Sequence, residues 1–153
     1  MALMSSACLH ERNRTASIPN HAAKHGYAVG AFNCFNDDGV MAVIQAAERM
    51  RSPAIVKVFP WTLHFQGIHF IRWIVDYAHN ASVPFAVHLD HCIKDQDVQV
   101  ALELPFDSIM VDASTQEGEE NLEYCKLIVG QDRERGIAIE AERWVGFREV
   151  RMV

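Results

Sequence analysis

The stretch "VPFAVHLDH" (residues 83–91) passes from an apolar run to ionisable residues. The run Val83 to Val87 predicts a buried strand, and His88, Asp90 and His91 follow where it ends. Because side chains alternate along a strand, His88 and Asp90 share one face. His91 lies at the strand end, where the chain can turn its imidazole over the rim. The stretch therefore predicts a strand with reactive groups at its carboxyl end.

Other apolar runs alternate with segments of helical periodicity along the chain. The predicted strands are residues 27–33, 53–59, 83–91, 108–114 and 137–142, and the predicted helices are 37–51, 65–81, 94–104 and 117–136. This alternation of nearly continuous apolar strands with helices is typical of a parallel sheet covered by helices. Two architectures fit it: a doubly wound open sheet and a (β/α)8 barrel. No G-x-G-x-x-G follows the first strand, which disfavours the dinucleotide-binding form of the open sheet.

The composition limits the classes of partner. The chain has 153 residues, enough for one domain or a piece of a larger one, and a net charge of −6, which gives no broad basic surface for nucleic acid. No apolar run is long enough to span a bilayer, and the first residues lack the apolar core of a signal peptide. The four cysteines form no C-x-x-C pair, as expected of reduced thiols. We expect a cytoplasmic protein with a small-molecule substrate and no membrane partner.

Polar residues gather at the carboxyl ends of the predicted strands, which favours the barrel because barrel enzymes keep their sites at that rim. These residues are Asn33, Asp90, His91, Asp112, Glu140 and Glu142. An imidazole among carboxylates suits a borderline metal such as zinc, with carboxylates available for proton transfer. Singly, each residue has a structural interpretation: His88 hydrogen-bonds inside the sheet, Asp112 caps a loop, and E-x-E faces solvent. Together at one rim they favour a metal site.

Several segments resemble the class II, metal-dependent ketose-bisphosphate aldolases. They are "GYAVGAFNCFNDDGVMAVIQAAERMRSPAIVKV", "VPFAVHLDH", "FDSIMVDAS", "EENLEYCKLIV" and "RGIAIEAE", and the resemblance runs from about residue 16 to residue 142. It implies an incomplete (β/α)8 TIM barrel over residues 16–143, between an N-terminal tail (1–15) and a divergent C-terminal tail (144–153).

The resemblance also implies roles for individual residues. Asp90 matches the catalytic acid/base, His91 a ligand of the catalytic zinc, and Asp112 and Glu142 positions that bind metal in an alternative or second site. Asn33 is the predicted substrate-binding residue. The implied reaction is reversible cleavage of fructose or tagatose 1,6-bisphosphate to dihydroxyacetone phosphate and glyceraldehyde 3-phosphate. Zn²⁺ polarises the ketose carbonyl, and no Schiff-base lysine is required.

The sequence departs from the family pattern in three respects. Phe59 stands where the family has a serine-containing turn, and "RWVGFREVRMV" replaces the Gly-rich loop expected after Glu142. Five predicted strands fall short of eight, so the later zinc histidines and the phosphate site are not accounted for. We therefore expect impaired turnover, and homo-oligomers or aggregates formed through the open edge strands. The alternatives are a non-catalytic metal-binding or oligomerising remnant, and an unrelated open α/β binding protein.

Overall fold

The structure, a computed structural model, describes residues 13–114, 117–132 and 136–142. The elements in chain order are α1 (Arg14–His25), β1 (Gly30–Asn33), α2 (Asp37–Met50), β2 (Ala54–Val58), α3 (Pro60–Gln66), α4 (Ile68–His79), β3 (Phe85–Cys92), α5 (Asp95–Leu102), β4 (Ser108–Asp112), α6 (Gly118–Asp132) and β5 (Ala138–Glu142). The predicted C-terminal tail, 144–153, and residues 1–12 of the predicted N-terminal tail lie outside the described residues.

The five strands form one parallel sheet in the order β1-β2-β3-β4-β5. A doubly wound sheet reverses its strand order at a switch point, whereas a barrel adds strands sequentially. The sheet is therefore an incomplete barrel, as predicted. All four residues of β1, the strand at one edge, are exposed.

The apolar core lies between the sheet and the helices. Every second strand residue points to it, and the fully buried members include Val56, Val87, Leu89, Ile109 and Val111. The alternate residues point to the other face, which in a barrel is the interior. Buried polar residues on that face are His88, Asp90, Ser108 and Asp112.

Helix α1 was not predicted. Pro19 lies inside it, and a proline removes a backbone donor and normally disfavours a helix interior. Asn13 caps the helix by accepting a hydrogen bond from Ala16 N at 3.2 Å. Ile18 and Ala22 are buried beneath it, so packing outweighs the local propensity.

The predicted helix 65–81 corresponds mainly to α4, and a separate helix, α3, begins earlier, at Pro60. Pro60 occupies the first turn of α3, a position where its missing N–H costs nothing. Gly67 separates the two helices with a φ of 80°, which glycine adopts readily. Strand β2 consequently ends at Val58, and Phe59 becomes the residue that precedes α3. No helix within the described ranges is long and apolar enough to cross a bilayer.

Candidate active site at the carboxyl rim

An ion pair joins the second and third strands near the carboxyl rim. Lys57 Nζ lies 2.5 Å from Asp90 Oδ2, and the Asp90 side chain is buried. Lys57 is the partner of His88 in the β2–β3 register, so its long side chain reaches two residues further along the neighbouring strand. A buried carboxylate is costly without a cation or donors. Lys57 provides that cation on the interior face of the sheet.

His88 lies next to this ion pair, further from the rim, and is held by hydrogen bonds. Its Nδ1 lies 2.7 Å from Ser108 Oγ, which in turn accepts a hydrogen bond from Thr15 Oγ1 of α1 at 2.9 Å. Its Nε2 lies 3.7 Å from both Asp90 Oδ1 and Glu140 Oε2. Burial lowers the pKa of His88, and the nearby carboxylates of Glu140 and Asp90 only partly offset that effect. A hydrogen bond within the sheet is the structural role predicted for His88.

His91 occupies an irregular point at the end of β3. Its φ is 53°, and the β3–β4 register shifts between Leu89 and Cys92. A positive φ is uncommon outside glycine and is typically kept where a side chain must be aimed. The ring lies nearly parallel to that of Phe59, at 3° and a centroid distance of 6.2 Å. The strand end therefore turns this imidazole over the rim, as the sequence predicted.

Asp112 at the end of β4 contacts both His91 and Ser114. Its Oδ2 lies 3.0 Å from His91 Nδ1, and its Oδ1 accepts hydrogen bonds from Ser114 N at 3.1 Å and Ser114 Oγ at 2.6 Å. Burial by itself raises the pKa of Asp112, but the hydrogen bonds from Ser114 and His91 outweigh it and leave the pKa below its ordinary value. The carboxylate is thus the favoured form.

The predicted site residues are partly brought together. Asp90 and His91 are neighbours on β3, and Asp112 contacts His91. Asn33 is exposed at the end of β1, in register with Lys57. The backbone of Glu142 pairs with Asp112 in the β4–β5 ladder, and its side chain lies outside the part described.

Across the described residues, no three His, Cys, Asp or Glu side chains are placed to hold one metal ion. A common site for His91, Asp112 and Glu142 therefore remains a prediction.

Sequence reasoning missed Lys57 and the Thr15–Ser108–His88 chain of hydrogen bonds. The signal for Lys57 was present, because a charged residue within the apolar run "AIVKV" of a buried strand needs a partner. The signal for Thr15 was absent, since the helix that carries it was not expected.

Parallel strands in sequential order, with an acid and an imidazole at the carboxyl rim, define a chain of the (β/α)8-barrel class. The model of the class-II fructose-bisphosphate aldolase family matches residues 13–145. The chain therefore belongs to the class II fructose-bisphosphate aldolase family, as its sequence motifs indicated.

Individual relatives agree with that family. A fructose-bisphosphate aldolase of Thermus caldophilus is 38% identical over 134 residues, which is 86% of this chain and 44% of that protein. A crystallised protein from Coccidioides immitis superposes with a TM-score of 0.83 at 36% identity, covering 87% of this chain and 52% of the other. The YdjI aldolase of Escherichia coli K12 gives 0.77 at 32% identity, covering 88% and 52%. The chain thus spans less than half of the Thermus protein and about half of the two solved chains.

Proposed function

We propose that this chain carries the acid/base and one zinc ligand of a class II ketose-bisphosphate aldolase. The proposed reaction is reversible cleavage of fructose or tagatose 1,6-bisphosphate. The observation that carries the proposal is the buried Asp90 carboxylate, paired with Lys57 and followed directly in the chain by the rim histidine His91. Family membership supports the same assignment.

The chemistry of the donors fits zinc. His91 Nδ1 bonds to the Asp112 carboxylate, and a carboxylate that accepts from one ring nitrogen leaves the lone pair on the other, Nε2. Metal-binding histidines are commonly oriented in this way. His91 is proposed as a ligand of the catalytic zinc, and Asp112 and Glu142 as residues of an alternative or second metal position. Asn33, at the rim end of β1, is proposed to contact the substrate.

In the cleavage direction, Asp90 takes the proton from the hydroxyl on the carbon that becomes the aldehyde. The carbon–carbon bond then breaks, its electrons stay with the ketone half, and protonation of that carbon gives dihydroxyacetone phosphate. A bound zinc ion supplies Lewis-acid polarisation of the ketose carbonyl. Lys57 holds Asp90 Oδ2, which fixes the orientation of the carboxylate during proton transfer.

Turnover by this chain is proposed to be weak, because a catalytic zinc normally has three protein ligands and His91 is the one imidazole assigned to it here. The alternative function is a non-catalytic metal-binding or oligomerising form of the same fold. The exposed edge strand β1 favours self-association, so the proposed partners are a sugar phosphate and a second copy of the chain. The proposed location is the cytoplasm.

The test measures zinc binding and aldol cleavage on the same purified chain. We expect zinc to bind and His91→Ala to remove it, whereas His69→Ala, at an exposed position of α4, leaves it bound. Cleavage of fructose 1,6-bisphosphate is followed by coupling dihydroxyacetone phosphate to NADH oxidation. Zinc binding without any cleavage would select the non-catalytic alternative. Zinc binding that is unchanged in His91→Ala would contradict the assignment of His91 as a zinc ligand.

A further inference from the structure

Three aromatic side chains form a row along the rim from β1 to β2. We call Phe35, Phe59 and Trp61 the aromatic wall. The Phe35 and Trp61 rings are 4.9 Å apart with an interplanar angle of 22°, and the Phe59 and Trp61 rings are 6.3 Å apart at 10°. Trp61 is 54% exposed and Phe35 is 45% exposed. Large apolar surfaces exposed as a contiguous group commonly mark a binding site.

The wall is continuous with the candidate active site. Phe59 lies nearly parallel to His91, at 3° and 6.2 Å, so the row of rings leads directly to the proposed zinc ligand. The order Phe35, Trp61, Phe59, His91 follows the order of the strands β1, β2 and β3. A substrate held at His91 therefore has the face of Phe59 beside it.

The backbone holds the wall in place. Gln66 Nε2 at the end of α3 donates a hydrogen bond to the Phe35 carbonyl at 3.1 Å, which ties this helix to the loop after β1. Pro60 fixes the first turn of α3 directly between Phe59 and Trp61. The rings are thus positioned before any ligand arrives, which reduces the entropy lost on binding.

The geometry points to a subsite for an apolar, uncharged substituent on the aldehyde half of the substrate. This inference rests on the proposed aldolase function and adds ketose 1-phosphates with an aryl or alkyl chain to the bisphosphates. An aromatic face carries negative partial charge, so it attracts apolar groups and ring edges and disfavours a phosphate. The ammonium of Lys57, on β2, is already paired with Asp90 and does not change that preference.

The experiment measures binding of an unreactive mimic by saturation-transfer NMR. Benzyl alcohol represents an aryl aldehyde and, unlike the aldehyde, forms no imines with lysines. We expect benzyl alcohol to bind, and the dissociation constant to rise about fivefold in Phe59→Ser and in Trp61→Ala. Phe65→Ser is the matched control, because Phe65 is on α3 but is 84% exposed and outside the wall. It is expected to bind like the parent chain.

Two results would overturn the inference: no binding of benzyl alcohol, or binding unchanged in both wall variants. Circular dichroism of each variant establishes that it is folded. The measurement needs neither zinc nor turnover. A chain that cleaves fructose 1,6-bisphosphate but ignores benzyl alcohol therefore keeps the proposed function and loses the subsite. A chain that binds benzyl alcohol at the aromatic wall but does not cleave fructose 1,6-bisphosphate keeps the subsite and loses the proposed function.

Discussion

The two ends of the sheet each hold an Asp–His pair, yet they differ in what the aspartate binds. At the amino ends of the strands, Asp107 Oδ2 lies 2.8 Å from His79 Nε2 and also accepts from Val87 N at 2.7 Å. At the carboxyl rim, Asp112 Oδ2 lies 3.0 Å from His91 Nδ1, and His91 has the left-handed φ. In the first pair, the aspartate carboxylate also accepts a hydrogen bond from a backbone N–H of β3. The second pair orients an imidazole that is 45% exposed.

The same two residue types therefore have a structural role at one end and the proposed metal chemistry at the other. A buried backbone donor that needs an acceptor marks a structural pair. A backbone conformation held away from its preferred region, beside a second buried acid, is the feature on which the functional proposal for the other pair rests. The pairs are distinguished by their surroundings, which the sequence shows only in part.

The largest expected effect is on catalysis at the rim. Asp90→Asn keeps the shape of the side chain and removes its capacity to take a proton, so we expect the cleavage rate to fall by about 10²–10⁴-fold. Zinc content is expected to stay unchanged, as measured by atomic absorption. At the opposite end of the sheet, His79→Ala serves as the control and should keep the rate. If the Asp90→Asn variant cleaved the substrate at the parental rate, the proposed role of Asp90 as acid/base would be wrong.

The second effect separates the two Asp–His pairs by metal affinity. Asp112→Ala removes the partner that orients His91, and we expect zinc affinity to drop about 10–100-fold in a competition titration with a fluorescent chelator. Asp107→Ala removes the corresponding partner of His79 and should leave zinc affinity unchanged. Equal losses in the two variants would contradict the distinction between the pairs.

The third effect is on stability and concerns the amino end. In Asp107→Ala, Val87 N loses its acceptor and His79 loses its partner, so we expect the free energy of unfolding to fall by about 1–3 kcal/mol. Urea denaturation measures it. Asp76→Ala, at an exposed position of α4, is the control and should change stability far less. If Asp76→Ala lowered the free energy of unfolding as much as Asp107→Ala does, the structural role assigned to Asp107 would be wrong.

The smallest expected effect is a pH dependence of stability from His88. Its pKa in the folded chain lies below the ordinary value of about 6.5, so the unfolded chain takes up the proton first as the pH falls. The stabilisation is complete above that ordinary value and is lost as the pH decreases towards the folded pKa. We expect the urea midpoint to decrease between about pH 8 and pH 5 and the decrease to be shallower in His88→Asn. In the control His69→Asn, at an exposed position of α4, the urea midpoint should decrease with pH as steeply as in the parent chain.

Much of the fold could be predicted because its signals are local. Apolar, β-branched runs identified all five strands, and the acidic first turn of α6 gave its start to within one residue. Helix α1 was not predicted because Pro19 disfavours a helix locally, and the contacts that stabilise it are with residues distant in the chain. The break at Gly67 was readable in principle, since Pro60 and Gly67 are ordinary start and stop signals.

The site was predictable in its residue types and not in its pairings. Strand-end position placed Asp90, His91 and Asp112 at one rim. The Lys57–Asp90 ion pair depends on the register between β2 and β3, which alternation alone does not give. The left-handed φ of His91 depends on an irregular stretch of β3 that has no sequence signal such as glycine.

The side chain of Asn13 has a consequence for the order in which the chain folds. Its Nδ2 donates to the carbonyls of Asp107 at 2.7 Å and Gly136 at 2.8 Å, partners 94 and 123 positions later in sequence. Contacts of such long separation form slowly, because a large loop must close first. During synthesis on the ribosome, helix α1 therefore cannot complete these contacts until residue 136 has emerged.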